Sequence, residues 1–350
     1  MDWKRLLKLG QDEVLGLDIG SSAVRIVQLH KDSDGCVVTT AGVVDIANAA
    51  EEDKNNREIN TVMAIQKCLQ SMGIRTRLAV CGVSGPEVAV RDFNFPSLPP
   101  EEIEGAALLE AAQVCPFGVD DSVVDYQLIP DDDDNVCGVL VAATNKVIKS
   151  RTQLAKNASL DCVLMDVEGL ALLNCFIKYE KSEAGRTTAI LNVGSSCATL
   201  VIMGDNGRPF IRDMSYAGND IVKQIAAECN ISAETVGMIL FDCDNQTKPE
   251  VELGDGFERA CEKLILNVAE TLRYYTAREK SAVIEKIFVC GSFALVKGFV
   301  ELLDSRLPEK AVLWNPFEKI PCDAEQNCRD ILKKKGPAMA VAAGLAMRSI

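Results

Sequence analysis

Histidine is the scarcest useful residue here: the 350-residue chain carries one, His30. A single imidazole excludes His-based catalytic triads and multi-His metal sites. No apolar run reaches the roughly 18 residues that span a bilayer as a helix. Gly-Lys-Ser and Gly-Lys-Thr are absent, so a P-loop is excluded; G-x-G-x-x-G is absent too, so a dinucleotide fold lacks its fingerprint. Basic residues are in deficit, giving a formal net charge of −14. Such a chain is a poor general binder of nucleic acid, whose phosphates need Lys and Arg. Fourteen cysteines are present but none stands in a C-x-x-C pair. Many, such as Cys81, Cys137, Cys197 and Cys290, lie in apolar runs and are expected to pack as small free hydrophobes. The chain opens without a signal-peptide pattern, so a reducing cytoplasm is the expected compartment. Residues 1–9 mix basic and apolar side chains over about two helical turns, expected as a packed or frayed terminus and as the one place to touch a membrane surface.

What is present is a packed composition, 48% hydrophobic and 25% charged, at a length that implies two lobes. Residues 14–19 read as a strand, turned sharply by Gly20-Ser21-Ser22 into a second strand over 24–29, with a third over 37–44. Residues 78–83 form another short buried strand. A proline-rich break at 95–100 leads to a helix at 101–114, with Glu101 and Glu102 in the first turn, where the dipole favours negative charge. The carboxylates at 131–134 read as a solvated turn. A strand at 136–143 precedes helices near 146–159 and 167–179. The pattern then restarts: a strand over 188–193, a turn at Gly194-Ser195-Ser196, a strand over 198–203. Phe257, Cys261, Leu264, Val268, Leu272 and Tyr275 recur at helical spacing. A strand at 287–290, a Gly291-Ser292 turn, a helix over 295–306 and an Ala-rich helix over 337–347 with Pro337 in its first turn complete the chain.

The two openings, Leu17-Asp18-Ile19-Gly20-Ser21-Ser22 and Leu191-Asn192-Val193-Gly194-Ser195-Ser196, lie 192 − 18 = 174 residues apart, about half the chain. A repeat at that distance implies two related lobes. Successive N–H groups and serine hydroxyls at such turns can wrap phosphate oxygens. Asp18, at the end of a buried strand, is costly without a partner; a Mg²⁺ ion held through water would account for it. Asp213 and Asp220 are candidate bases by neighbourhood only, each with a surface or capping role as the commoner alternative.

In that setting, LGLDIGSSAVRIVQL, LLEAAQVCPFGVDDSVVDYQLI, LMDVEGLALLN, SYAGNDIV, AETLRYYTA, VCGSFALVKGFVELL, NPFEKI and GPAMAVAAGLAMR resemble segments of the PilM family, in that family's order and over nearly the whole chain. The resemblance implies an α/β fold of two actin-like lobes (a ribonuclease H-like unit duplicated) with an inserted subdomain of the FtsA and PilM type. The implied divisions are a first-lobe core at 1–84 and 150–186, the insert at 85–149, a second-lobe core at 187–217 and 284–334, its subdomain at 218–283, and a C-terminal helix at 335–350 returning to the first lobe. It implies ATP, with Mg²⁺ at Asp18, between the lobes. Asp18, Gly20, Ser21, Ser22 and Arg25 form the first phosphate loop; Asn192, Gly194, Ser195 and Ser196 the second. Gly218 and Asn219 open a helix facing the nucleotide, and Gly291 and Ser292 form the adenosine loop. The implied setting is cytoplasmic and peripheral at the inner membrane, in a type IV pilus machine. The implied partners are the N-terminal tail of a PilN-like membrane protein and the motor ATPases, with homo-oligomers left open and nucleic acid excluded. Asn192 departs from the superfamily's usual aspartate, Phe293 from a glycine, and Asn267 and Glu270 from a Glu and an Arg. These departures point to weak or absent ATP hydrolysis. A sugar-kinase-like or phosphatase-like enzyme, an FtsA-like filament protein and the cytoplasmic part of a GspL-like protein remain alternatives. The last two would normally carry a membrane helix, which this sequence does not show.

Overall fold

The computed structural model describes residues 14–32, 35–47, 53–130, 135–180, 187–204, 207–241, 254–279 and 283–348. The stretches at 1–9 and 131–134 lie outside the described residues. The chain divides into two compact units: Met1–Val83, Lys149–Tyr179 and Pro316–Ile350 in one, Ser84–Ile148 and Glu180–Asn315 in the other.

In the first unit, β1 (Leu15–Ile19), β2 (Ala23–Asp32) and β3 (Gly35–Asp45) form an antiparallel meander. The Gly20-Ser21-Ser22 turn sets its register, with Asp18 opposite Arg25. Helix α1 (Lys54–Met72), unforeseen in the sequence, starts at Asp53, whose carboxylate accepts the Asn55 N–H at 2.8 Å. It ends at Gly73 in the left-handed conformation. Its buried stripe is narrow (Thr61, Ala64, Ile65, Cys68, Leu69), so the amphipathic signal is faint. Strand β4 (Leu78–Val83) runs parallel to β1.

The chain then leaves this unit. β5 (Val88–Phe95), α2 (Pro100–Val114), β6 (Ser122–Ile129) and β7 (Val136–Thr144) make a three-stranded sheet of order β5-β7-β6 with one helix. Its small core is Phe93, Ala111 and Leu140. Helix α2 begins as its sequence requires, with proline and two glutamates in the first turn.

Helix α3 (Asn145–Asn157), β8 (Asp161–Val167) and α4 (Glu168–Tyr179) return to the first unit. Strand β8 was read in the sequence as a junction between helices. Only its last two residues are fully buried, and its apolar run, Cys162-Val163-Leu164-Met165, is short. The sheet order is β3-β2-β1-β4-β8.

The second unit repeats this plan. β9 (Thr187–Val193), β10 (Ala198–Met203) and β11 (Pro209–Met214) form the meander. Helices α5 (Gly218–Cys229), α6 (Ala233–Phe241) and α7 (Gly254–Arg278) follow, then β12 (Ile284–Cys290), α8 (Phe299–Arg306) and β13 (Lys310–Leu313). The order β11-β10-β9-β12-β13 matches the first sheet strand for strand, with β12 parallel to β9 and β13 parallel to β12. The helix expected over 295–306 starts only at Phe299. Residues Phe293–Leu295 form a 3-10 turn, and Gly298 (φ 84°) breaks the path between them.

Residues 316–334, expected in the second lobe, fall in the first unit. Val38 N–H donates to Pro321 O at 2.8 Å and Asp323 N–H to Val38 O at 3.0 Å, bringing α9 (Gln326–Lys335) onto β3. Pro337 sits in a 3-10 turn, Gly336–Met339, and α10 (Ala340–Ala346) follows. Its small residues let it lie directly on β1 and α4. A side chain at Gly16 would come 1.9 Å from Ala342 O, and one at Gly344 1.9 Å from Ala171 O.

Each unit has its own apolar core. One gathers Leu15, Leu17, Ile26 and Ile65; the other gathers Leu191, Leu200, Leu264 and Phe299. Every cysteine among the described residues is a free thiol.

Candidate functional site

Three loops of the second unit converge where β9 ends. The Gly194-Ser195-Ser196 turn closes through Gly194 N–H donating to Cys197 O at 3.0 Å. The first turn of α5 docks onto it: Gly218 N–H donates to Gly194 O at 3.1 Å and Asn219 N–H to Ser195 O at 2.6 Å. From the third loop, Gly291 takes φ 95°, and a Cβ there would lie 2.4 Å from Val193 O and 2.5 Å from Asn192 Oδ1. Only glycine has both that conformation and that clearance. Cys290 Sγ is 3.9 Å from the same Asn192 oxygen. Asn192, Gly194, Ser195, Gly218, Asn219 and Gly291 are therefore brought together, with Ser292 next in the third loop. Ser196 is exposed at the turn and makes no hydrogen bond among the described residues.

Phe293 turns into the core. It is 1% exposed, packs edge-on against Phe299 at 4.9 Å and Phe241 at 5.9 Å, and lies under Gly218. It props the loop from below.

Neither candidate base is free. Asp220 Oδ2 accepts Ala217 N–H at 3.1 Å and so caps α5. Asp213 accepts the Thr199 hydroxyl at 2.6 Å on Oδ1 and the Gly85 N–H at 2.6 Å on Oδ2. Of the two positions that depart from the family pattern in α7, Asn267 accepts the Thr271 hydroxyl on its main-chain oxygen at 2.7 Å, and Glu270 is exposed.

In the first unit the corresponding turn closes through Gly20 N–H donating to Ala23 O at 3.1 Å, and Ser22 O accepts Ile46 N–H at 2.8 Å. The Ser21 side chain makes no hydrogen bond among the described residues. Asp18, expected to hold Mg²⁺ through water, is ion-paired in the structure. Arg25 Nη1 lies 3.2 Å from Asp18 Oδ2, and the two residues are 7% and 5% exposed. The buried carboxylate already has its counter-charge, and Arg25 is directed at it as well as being part of the loop. Among the described residues, no cluster of three His, Cys, Asp or Glu side chains could hold a metal. The Ser21 and Ser196 hydroxyls, which make no hydrogen bond among the described residues, are donors of the kind that phosphate oxygens take.

Sequence reasoning missed Asp166 and Glu168. Gly82 pairs with Asp166, and Leu17 with Cys81, so Asp18, Gly82 and Asp166 stand level at the C-terminal ends of three parallel strands. Such ends are where open α/β sheets bind ligands. Burial pushes the Asp166 carboxyl above its ordinary pKa, with Arg348 opposing the shift. Arg348 Nε is 3.1 Å from Asp166 Oδ2, near enough for an ion pair though off the hydrogen-bonding direction. Glu168 Cγ would lie 3.0 Å from a Cβ at Gly82. The available signal was Asp-Val-Glu closing a short apolar run, as Asp18 closes β1.

Two units of one topology, each a meander extended by two parallel strands with a Gly-Ser-Ser turn at the same place, define the duplicated actin-like class of α/β protein. The chain matches the family described as "Type IV pilus assembly protein PilM" over residues 16–350, and it belongs to that family. Among solved structures it is similar to a PilM–PilN type IV pilus biogenesis complex, at 22% identity and TM-score 0.79, covering 96% of this chain and 98% of that one. It is also similar to the ethanolamine utilization protein EutJ from Carboxydothermus hydrogenoformans, at 12% identity and TM-score 0.54, over 95% and 89% of the two chains. A glycerol dehydratase reactivase gives 10% identity and TM-score 0.55, over 95% and 99%. At these identities the likenesses establish the fold. Among the described residues no helix is long and apolar enough to cross a membrane.

Proposed function

We propose that this protein is a nucleotide-binding scaffold of the pilus machine that holds the cytoplasmic N-terminal tail of a PilN-like membrane protein and couples it to the motor ATPases. The family match makes it a type IV pilus assembly protein. The observation that carries the nucleotide reading is the convergence of the Gly194 turn, the start of α5 and the Gly291 loop. Backbone N–H groups and serine hydroxyls gathered in this way suit phosphate oxygens. In this reading Ser195 and Ser196 contact phosphates of ATP, Gly194 shapes the turn, and Gly291 and Ser292 approach the nucleoside. Asp18 and Arg25 stiffen the first turn. When bound, ATP brings negative charge and its own Mg²⁺ with water ligands.

The protein binds ATP without turning it over efficiently, because general-base catalysis needs a carboxylate or imidazole with an open acceptor near the attacking water. Asp213 has both carboxylate oxygens hydrogen-bonded, and Asp220 has one of its two engaged in capping α5. This sets the scaffold reading above a sugar-kinase-like or phosphatase-like enzyme. The similar structure is of a PilM–PilN complex, which supports a PilN-like partner, and through it this chain would sit at the cytoplasmic face of the inner membrane.

Calorimetric titration with ATP and Mg²⁺, then with a synthetic PilN-like N-terminal peptide, tests both halves. Micromolar ATP binding that weakens at least tenfold in Gly291→Val, with peptide binding retained, is the expected result. Peptide binding without ATP binding would reduce the protein to a plain scaffold. If neither ligand binds, the reading fails, and sedimentation of the chain with ATP would then test an FtsA-like filament.

A further inference from the structure

Asp213 joins two parts of the second unit that are far apart in sequence. Its Oδ1 accepts the hydroxyl of Thr199, which stands opposite Asn192 in the hairpin carrying the Gly194 turn. Its Oδ2 accepts the N–H of Gly85, at the start of the 84–148 segment. The two ends of that segment are tied to each other as well. Thr144 N–H donates to Glu87 O at 3.0 Å and the Thr144 hydroxyl to Glu87 Oε1 at 3.3 Å. Whatever holds Gly85 therefore holds both ends.

Further out, the segment's contacts with the rest of its unit include Arg208 Nη2 donating to Cys137 Sγ at 3.0 Å and an ion pair between Arg278 and Asp92. Its apolar cluster, around Phe93, Ala111 and Leu140, is separate from the core of the unit. A body with its own core, tied to its unit through identifiable polar contacts, is one that can shift as a unit.

We infer that Asp213 is a relay: it passes ligand occupancy of the Gly194 turn to the position of the 84–148 segment. The inference rests on the nucleotide reading above. A phosphate gripped by the turn biases the β9–β10 hairpin, Thr199 moves with it, and the carboxylate carries the displacement to Gly85. Linkage makes the coupling reciprocal, so a partner that holds the segment alters affinity for the nucleotide by the same factor.

Hydrogen exchange read by mass spectrometry, with and without ATP and Mg²⁺, tests this on the full chain. In the native protein ATP is expected to slow exchange at 192–199 and to change exchange at 84–95. Thr199→Val removes only the donor on the hairpin side. It should keep the first response and lose the second. Asp213→Ala frees the segment even without ATP, with exchange at Gly85 about tenfold faster, as expected for loss of one hydrogen bond to a charged group. If 84–95 responds to ATP in Thr199→Val as it does in the native protein, the relay is wrong. If ATP leaves 192–199 unchanged in the native protein, the nucleotide reading falls and the relay with it. If ATP protects 192–199 while 84–95 never responds, the relay alone falls.

Discussion

The two hairpins share a backbone and differ in charge. Across the first sheet, one level reads Arg25, Asp18, Gly82, Asp166. Across the second, the same level reads Thr199, Asn192, Cys290, Trp314. Asp18 and Asn192 are 174 residues apart, and so are Arg25 and Thr199. The first unit spends two buried carboxylates and a guanidinium where the second uses an amide, a hydroxyl, a thiol and an indole. The second unit's carboxylate stands two strands over, at Asp213 in β11, where it holds Thr199 and Gly85. A duplicated fold can thus keep its turn geometry while reassigning charge. The first hairpin is fixed by an ion pair. The second is fixed by neutral packing and linked outward.

Removing the guanidinium should break this contrast most severely. Arg25→Ala leaves Asp18 buried and unpaired, which costs about 3–5 kcal/mol. Its counterpart Thr199→Ala loses one hydrogen bond to a charged acceptor, about 1.5–3 kcal/mol. Urea unfolding followed by circular dichroism measures both. Equal losses would mean the two hairpins are held alike. A smaller effect comes from giving the second hairpin the first one's acid. Asn192→Asp sets a carboxylate beside Cys290 with no cation opposite, and is expected to cost about 1–3 kcal/mol. The cost should fade below pH 4 as the carboxyl protonates, and a pH-independent cost would point to shape instead of charge. Converting the first hairpin to the second one's chemistry, with Asp18→Asn and Arg25→Thr together, should cost only about 1 kcal/mol, because a buried pair contributes little net stability against a neutral replacement. A double variant as unstable as Arg25→Ala alone would show that the guanidinium matters for packing.

The smallest expected effect is the pH slope set by Asp166. Its folded-state pKa lies above the ordinary 3.8, chiefly through burial. The folded state therefore holds this proton more tightly than the unfolded chain does. Its contribution is fully present below pH 3.8 and is lost as pH rises through the folded value. Asp166→Asn removes that loss, so the variant's stability relative to the native chain should climb above pH 4. A flat difference across pH 4–7 would mean that Arg348 fully compensates the burial.

Much of this contrast was legible in the sequence. Both Gly-Ser-Ser turns, their flanking strands and their spacing stood out because turn chemistry and apolar runs are local signals. Helix α2 showed itself through Pro100, Glu101 and Glu102. The strands β5, β6 and β11 were harder to see, because each exposes polar residues along its length, and α1 buries too narrow a stripe. The Asp18–Arg25 pair follows from hairpin register once the turn is fixed, yet a lone buried aspartate reads equally well as half of a metal site.

The sequence by itself determined the duplication, the two turns and the neutral character of Asn192, since each depends on residues close together along the chain. The tertiary structure decided where the charges are spent. Asp18 meets Arg25 across a turn, Asp166 meets Arg348 over 182 residues (348 − 166), and Asp213 meets Gly85 over 128. A carboxylate's role depends on which donor the folded chain brings within about 3 Å of it, and that distance exists only after the sheets have formed.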